Sequence, residues 1–397
     1  MQGAVRHIAR FLSCMGIFIA CSLSQAAAQS FPFPTEWEKL WTQAVPLFRQ
    51  DTVEICILGD VMMHTKQIEK AAAEDGTYDF SSYFRAIKDK ISDADIAIAN
   101  MEFTLGGKPY SGYPCFSAPD ELAEYVAECG VDVFLCANNH IFDKGASGAM
   151  RTLEMYEMLK ESHGISTTGL SKDNEAFEKE FPLLVRAKGI SVALVNFTYG
   201  TNIGSGKEWP KVIRTGNRRE IEKAISKAED ADADITVALP HWGQEYKLQH
   251  SEAQEETARW LIGQGADMII GTHPHVVQDY QEIDGKPVVY SIGNAVSNMS
   301  ATNTQVGLMT TIRIIRDRNG DVTMMPVEFT YLWCSRPGGF DDTYTVIPIR
   351  EYLDKRNEWK NPWDYEKMVS SYDRIRRETG IEDGIREKQD TNINHNK

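Results

Sequence analysis

Short apolar runs alternate with helix-period stretches along most of this chain. VEICILG (53–59), DIAIAN (95–100), VDVFLCAN (131–138), DITVALP (234–240) and ADMIIG (266–271) are rich in Val, Ile and Leu and bounded by polar residues or Gly. That pattern predicts buried strands. Helical spacing falls between them at 81–92, 119–129, 146–163, 218–230 and 251–264, and Pro119 followed by Asp120-Glu121 marks a helix start. Strand–helix alternation implies an α/β sheet system with covered faces. Lys188-Gly189 and Asn319-Gly320 each separate two apolar stretches and read as hairpin turns, so the sheets are mixed rather than purely parallel. Beyond residue 335 the chain is more charged, with a helix expected at about 364–378 and a polar, frayed tail after Asp390.

The N-terminus departs from this rhythm. Arg6 and Arg10 precede an apolar run from Phe11 to Leu23 and then the small residues Ala26-Ala27-Ala28. A basic head, a short apolar stretch and a small-residue site describe a secretory signal peptide, cleaved after Ala28. The run is too short to span a bilayer, which needs about 20 residues. Cys21 offers the competing reading of a lipid anchor. Either way the protein is expected to be exported, to a periplasm, cell envelope or extracellular surface.

Charge narrows the partners. Lys and Arg number 42 against 57 Asp and Glu, a formal net charge of −15, which argues against nucleic acid as a ligand. Seven cysteines occur, two of them within the presumed leader; the other five include no CxxC pair and cannot all pair within one chain.

Polar chemistry gathers where the strands end, which is where α/β proteins collect ligands. The first strand ends in Gly59-Asp60 with His64 four residues on. The second ends in Asn100-Met101-Glu102, and the third in Asn138-Asn139-His140 followed by Asp143. Later strands end in Pro240-His241-Trp242, in Thr272-His273-Pro274-His275, and, after PVVYSIGN, in Gly293-Asn294. Of nine histidines, five (His64, His140, His241, His273 and His275) lie at these ends; His7, His163, His250 and His395 do not. One such residue alone reads as a cap or a packing group, but five together read as a site. Carboxylate, imidazole and amide oxygen without thiolate suit Mn²⁺, Fe or Zn²⁺. The donors outnumber what one tetrahedral zinc needs, so two divalent ions sharing a carboxylate are expected.

The ordered set GDVMMH, ANMEFTLGG, ANNHIFDKG, LPHWGQEY, GTHPHVVQ and YSIGNAVSN, over about residues 53–297, resembles the CapA-type poly-γ-glutamate capsule-synthesis family, itself similar to the calcineurin-like metallophosphoesterases. The resemblance implies a four-layer αββα sandwich over 51–335, after a 29–50 linker or helix and before a C-terminal helical extension at 336–397. It implies that Asp60 and His64 ligate a first metal with His275, that Glu102 bridges, and that Asn139, His241 and His273 hold the second. His140 would protonate the leaving group with Asp143 orienting it. Asn100, Asn138, Trp242, Tyr246, Ser291 and Asn294 would stand around substrate and ligands. In phosphoesterases one residue separates the first Asp and His, where three separate Asp60 from His64, and the bridge is Asp where this chain has Glu102. The implied function is a metal-dependent hydrolase or transferase acting on an anionic polymer or a phosphoester. The alternatives are an envelope protein that binds or tethers such a polymer without reaction, and a secreted phosphoesterase or nucleotidase.

Overall fold

The strand expected at 53–59 runs as β1, Asp51–Val61, and its side chains divide by parity. Val53, Ile55 and Ile57 enter one apolar cluster while Cys56 and Leu58 enter another, because successive strand residues face opposite sides of a sheet. The computed structural model describes residues 51–381 and the backbone of 386–387; the leader, the 29–50 segment and the tail after Asp390 lie outside the described residues.

After β1 come α1 (Thr65–Ala71), α2 (Lys88–Ser92), β2 (Ile96–Met101), α3 (Asp120–Glu128), β3 (Val133–Leu135), α4 (Gly145–His163) and β4 (Ser166–Thr168). The chain continues through β5 (Leu170–Ser171), α5 (Asn174–Glu180), β6 (Leu183–Ala187), β7 (Ile190–Thr198), β8 (Lys211–Val212), α6 (Arg218–Asp230), β9 (Ile235–His241), α7 (Glu252–Gln264) and β10 (Met268–Ile270). It closes with β11 (Tyr280–Ile283), β12 (Lys286–Val289), β13 (Asn294–Val296), β14 (Val306–Arg316), β15 (Val322–Met324), β16 (Glu328–Ser335), β17 (Thr345–Pro348), α8 (Pro362–Thr379) and β18 (Arg386–Glu387).

Two mixed sheets result. The larger runs β17-β16-β14-β1-β2-β3-β4, with β13, β15 and β18 off its path, and the smaller runs β11-β12-β10-β9-β7-β6. Their inner faces share one cluster: Ile96 and Ile98 of β2 and Leu308 of β14 meet Val192 of β7 and Val237 of β9. The outer face of the larger sheet is covered by α1 to α4 through Ile68, Ile91, Leu122, Val126 and Tyr156. That of the smaller sheet is covered by α5, α6 and α7 through Phe177, Ile221, Ile225, Ala258 and Leu261. The architecture is therefore a four-layer αββα sandwich. Past residue 335, β17 extends the larger sheet, and α8 joins the inner cluster through Met368, Tyr372 and Ile375.

One expected helix is cut short. Over 81–92 only Lys88–Ser92 is helical, although Phe80, Tyr83, Phe84 and Ile87 are buried at helical spacing. Side chains satisfy the backbone there instead: Asp79 Oδ1 accepts from Ser81 N–H (2.8 Å) and Tyr125 Oη from Phe84 N–H (3.1 Å). These competing partners remove the need for a helical ladder. All five described cysteines are free thiols.

Asn196 of β7 holds the two sheets together beside the polar strand ends. Its Oδ1 accepts from Ala137 N–H, just past β3, and its amide donates to Leu239 O of β9, each at 2.8 Å. Close backbone approach at the end of β1 requires Gly59, since a Cβ there would lie 1.9 Å from Gly293 O.

Candidate metal centre

The ends of β1, β2, β3, β9 and β10 bring Asp60, Glu102, Asn139, His241, His273 and His275 into one buried cradle. Donor atoms of Glu102, His241 and His273 lie within 4.8 Å of one another, as do those of Asp60, Glu102 and His275. Glu102 is common to both groups. Its Oε1 stands 3.6 Å from His241 Nε2 and 3.7 Å from His275 Nε2.

Each donor is held in place by its own element. Asp60 Oδ1 accepts from the Asn100 amide (2.7 Å) and Oδ2 from His273 N–H (3.3 Å). His241 Nδ1 meets Thr272 Oγ1 at 2.9 Å, which turns Nε2 toward Asn139 Oδ1 at 2.7 Å. His275 Nδ1 meets Asn294 Oδ1 at 3.0 Å, and Asn294 is fixed in turn by donating to Thr304 O at 2.9 Å. Histidine ligands are commonly oriented in this way through their second nitrogen. His273 and His275 have φ of +98° and +57°, a conformation that costs of order 1–3 kcal/mol per residue for non-Gly residues. The turn is secured by its contacts to Asp60 and by Tyr246 N–H donating to Pro274 O at 2.9 Å.

The electrostatics favour a cation. Both oxygens of buried Glu102 lack any hydrogen-bond partner, as do His273 Nδ1 and Asn100 Oδ1. Burial, and then the nearby Asp60 carboxylate, push the Glu102 pKa well above the usual carboxyl range. Burial and then neighbouring imidazoles hold His241 well below 6.5 and His273 at about 3. Neutral imidazoles around an unsatisfied carboxylate form a suitable donor set for a divalent ion, and orphaned buried polar atoms call for such a partner.

His140 and Asp143 form a separate pair at the edge of the cradle. His140 Nδ1 lies 2.7 Å from Asp143 Oδ2, and that oxygen also accepts from Phe116 N–H at 2.7 Å. Phe116 packs edge-on against the His140 ring, centroids 4.5 Å apart. With Nδ1–H given to Asp143, Nε2 is left to exchange a proton.

The remaining expected residues have varied positions. His64 is outside both donor groups: it is the N-cap residue of α1, its backbone N–H donates to Gln67 Oε1 (2.9 Å), and its Nδ1 accepts from Asn298 N–H (3.3 Å). Burial lowers its pKa to about 4. The three-residue gap after Asp60 thus delivers His64 to the helix entry beside the cradle. Asn138 donates to Met101 O (2.8 Å) and accepts from His140 N–H (3.1 Å), bracing two strand ends. Ser291 donates to Val276 O at 2.8 Å. Trp242 is buried, donates to Tyr290 O at 2.9 Å and packs beneath the site rather than in its mouth. Tyr246 is exposed, its ring centroid 6.4 Å from that of His275.

Three further residues belong to the site. Asn202 reaches both ring nitrogens of His140 at 3.4 Å. Tyr199, half exposed, lies against His273 with ring centroids 4.5 Å apart. Glu245 forms a third donor group with His273 and His275. Their only sequence signal is proximity to strand ends, Glu245 within LPHWGQEY and the other two just past β7.

Residues 54–299 match the family described as "Bacterial capsule synthesis protein PGA_cap". The capsule biosynthesis protein CapA of Bacillus anthracis is 29% identical over 269 residues, covering 64% of this chain and 62% of that one. The matched part is thus less than two thirds of that relative's length. The PGA biosynthesis protein CapA of Bacillus subtilis (strain 168) is 26% identical over 296 residues, covering 73% of this chain and 75% of that one. Among solved structures, the calcineurin-like phosphoesterase YfkN of Bacillus subtilis aligns with a TM-score of 0.44 at 12% identity, over 83% of this chain and 98% of that one.

Proposed function

This chain belongs to the bacterial capsule synthesis protein PGA_cap family, and from that premise we propose that it is an exported, metal-dependent hydrolase or transferase of poly-γ-glutamate. The observation that carries the catalytic reading is buried Glu102, its oxygens unpartnered, among neutral imidazoles and beside the His140–Asp143 pair. The polymer follows from the likeness to the Bacillus subtilis relative, a PGA biosynthesis protein by name. Export rests on the basic and apolar N-terminal leader.

Asn139, His241, His273 and Glu102 would hold one divalent ion; Asp60, His275 and Glu102 would hold the other. Such ions supply Lewis-acid polarisation of a carbonyl or phosphoryl oxygen and of water. The chain contributes orientation and proton transfer. Asn100 and Asn294 fix Asp60 and His275 through the contacts given above. His140, protonated at Nε2 and stabilised by Asp143, donates to the departing nitrogen or oxygen, while Asn202 limits how far its ring can swing. Phe116 shields the His140–Asp143 pair from water, strengthening that contact.

The test is full-length protein loaded with Mn²⁺, Fe²⁺ or Zn²⁺ and assayed on poly-γ-glutamate and on an aryl phosphate. The expected result is shortening or transfer of the polymer, abolished in His140→Ala. Turnover of the phosphate alone would reassign the protein to the phosphoesterases, and no turnover of either with any of the three metals would refute the catalytic reading.

A further inference from the structure

The loop after β9 carries an acid that the reaction outlined above leaves unused. Glu245 is exposed, and its described surroundings supply the Tyr246 hydroxyl as a partner. An oxygen of Glu245, a nitrogen of His273 and a nitrogen of His275 lie within 4.8 Å of one another. Donors sharing one ion at bonds of about 2.0–2.2 Å are at most about 4.4 Å apart, so a small side-chain rotation would bring Glu245 within range of an ion held by either histidine. His273 Nδ1 is buried without a partner, an independent sign that this histidine serves something other than the protein.

The loop is built to keep the acid there. Tyr246, at φ +67°, donates its N–H to Pro274 O at 2.9 Å, anchoring the residue after Glu245 to the one between the two histidines. Gly243, at φ +98°, lets the loop pass over Gln254, where a Cβ would lie 2.7 Å from the amide carbon. A free carboxylate facing the cradle would otherwise repel an anionic substrate.

We propose that Glu245 is a further metal ligand that closes the cradle from the solvent side, where the His273 seat and the His275 seat adjoin. The proposal rests on reading the cradle as a metal centre. Because its side chain is exposed, Glu245 can leave at little cost when a substrate oxygen takes its place, unlike buried Glu102.

The experiment is calorimetric titration of metal-free full-length protein with Mn²⁺, comparing wild type, Glu245→Gln and Glu252→Gln, an exposed acid in the first turn of α7. Salt at about 0.5 M suppresses long-range field effects, and melting in EDTA checks that each variant is folded. Glu245→Gln should bind Mn²⁺ at least about tenfold more weakly, with Glu252→Gln unchanged. Wild-type affinity in Glu245→Gln, or an equal loss in Glu252→Gln, would overturn the proposal while leaving the centre intact. A wild type that binds no Mn²⁺ would remove the centre and this ligand together.

Discussion

Glu102→Gln should stabilise the metal-free protein and abolish its stabilisation by metal. Without an ion, the Glu102 carboxyl is buried beside Asp60 with neither oxygen hydrogen-bonded. An unsatisfied buried polar group costs about 1–3 kcal/mol. Glutamine keeps the shape, removes the charge and offers an N–H to Asp60, so it should recover much of that cost and raise the melting temperature by a few degrees. The sign with pH is fixed. A carboxyl whose folded pKa is raised loses stability as pH climbs above its ordinary value near 4.5, so the advantage of Gln should open above that pH and vanish below it. Wild type at a hundredfold excess of Mn²⁺ over its dissociation constant gains about 2.7 kcal/mol, and Glu102→Gln should gain almost none. Differential scanning calorimetry from pH 4.5 to 8, in EDTA and in Mn²⁺, measures all three effects. A metal-free variant less stable than wild type at pH 8, or one that Mn²⁺ still stabilises fully, would refute the reasoning.

Three other outcomes are expected. His140→Ala should lower turnover by about 10²–10⁴-fold while calorimetry shows Mn²⁺ affinity retained, because His140 is outside the donor groups; a loss of metal instead would make it a ligand. The metal-free protein should lose stability as pH falls below about 6.5, since unfolding lets His64, His241 and His273 bind protons that the fold refuses down to about 4 and about 3 for the first and last. Each imidazole contributes about 1.4 kcal/mol per pH unit, and three outweigh the opposite slope of Glu102 between about pH 4.5 and 6; urea melts in EDTA that are flat over this range would contradict the assignment. Gly59→Ala should cost more than about 4 kcal/mol, because its Cβ would meet Gly293 O at 1.9 Å and break the pairing that places Asp60; a melting temperature within a few degrees of wild type would show that the strand end can yield.

Strand periodicity made the larger sheet readable. The runs at 53–59 and 95–100 lie within or against β1 and β2, and the 218–230 helix coincides with Arg218–Asp230. Both Gly-containing turns join antiparallel pairs, β6 with β7 and β14 with β15. The segment at 81–92 was misleading because apolar spacing records which residues are buried, and a chain of side-chain-stabilised turns can bury the same residues as a helix. Motif order pointed to the cradle because its residues sit at strand ends that the sheet brings together. His64 did not follow, since its position depends on how α1 begins rather than on β1. Glu245 and Asn202 were hidden for a related reason: they lie on loops whose paths are set by single backbone contacts, such as Asn202 N–H to Asn139 O at 2.8 Å, and no periodicity encodes those.

The most direct test is anomalous diffraction from crystals soaked in Mn²⁺. Two peaks about 3.5–4 Å apart, both within bonding distance of Glu102, one facing Asn139, His241 and His273 and the other Asp60 and His275, are the predicted result. Manganese bound only elsewhere, with Glu102 touching no ion at saturating concentration, would contradict the account.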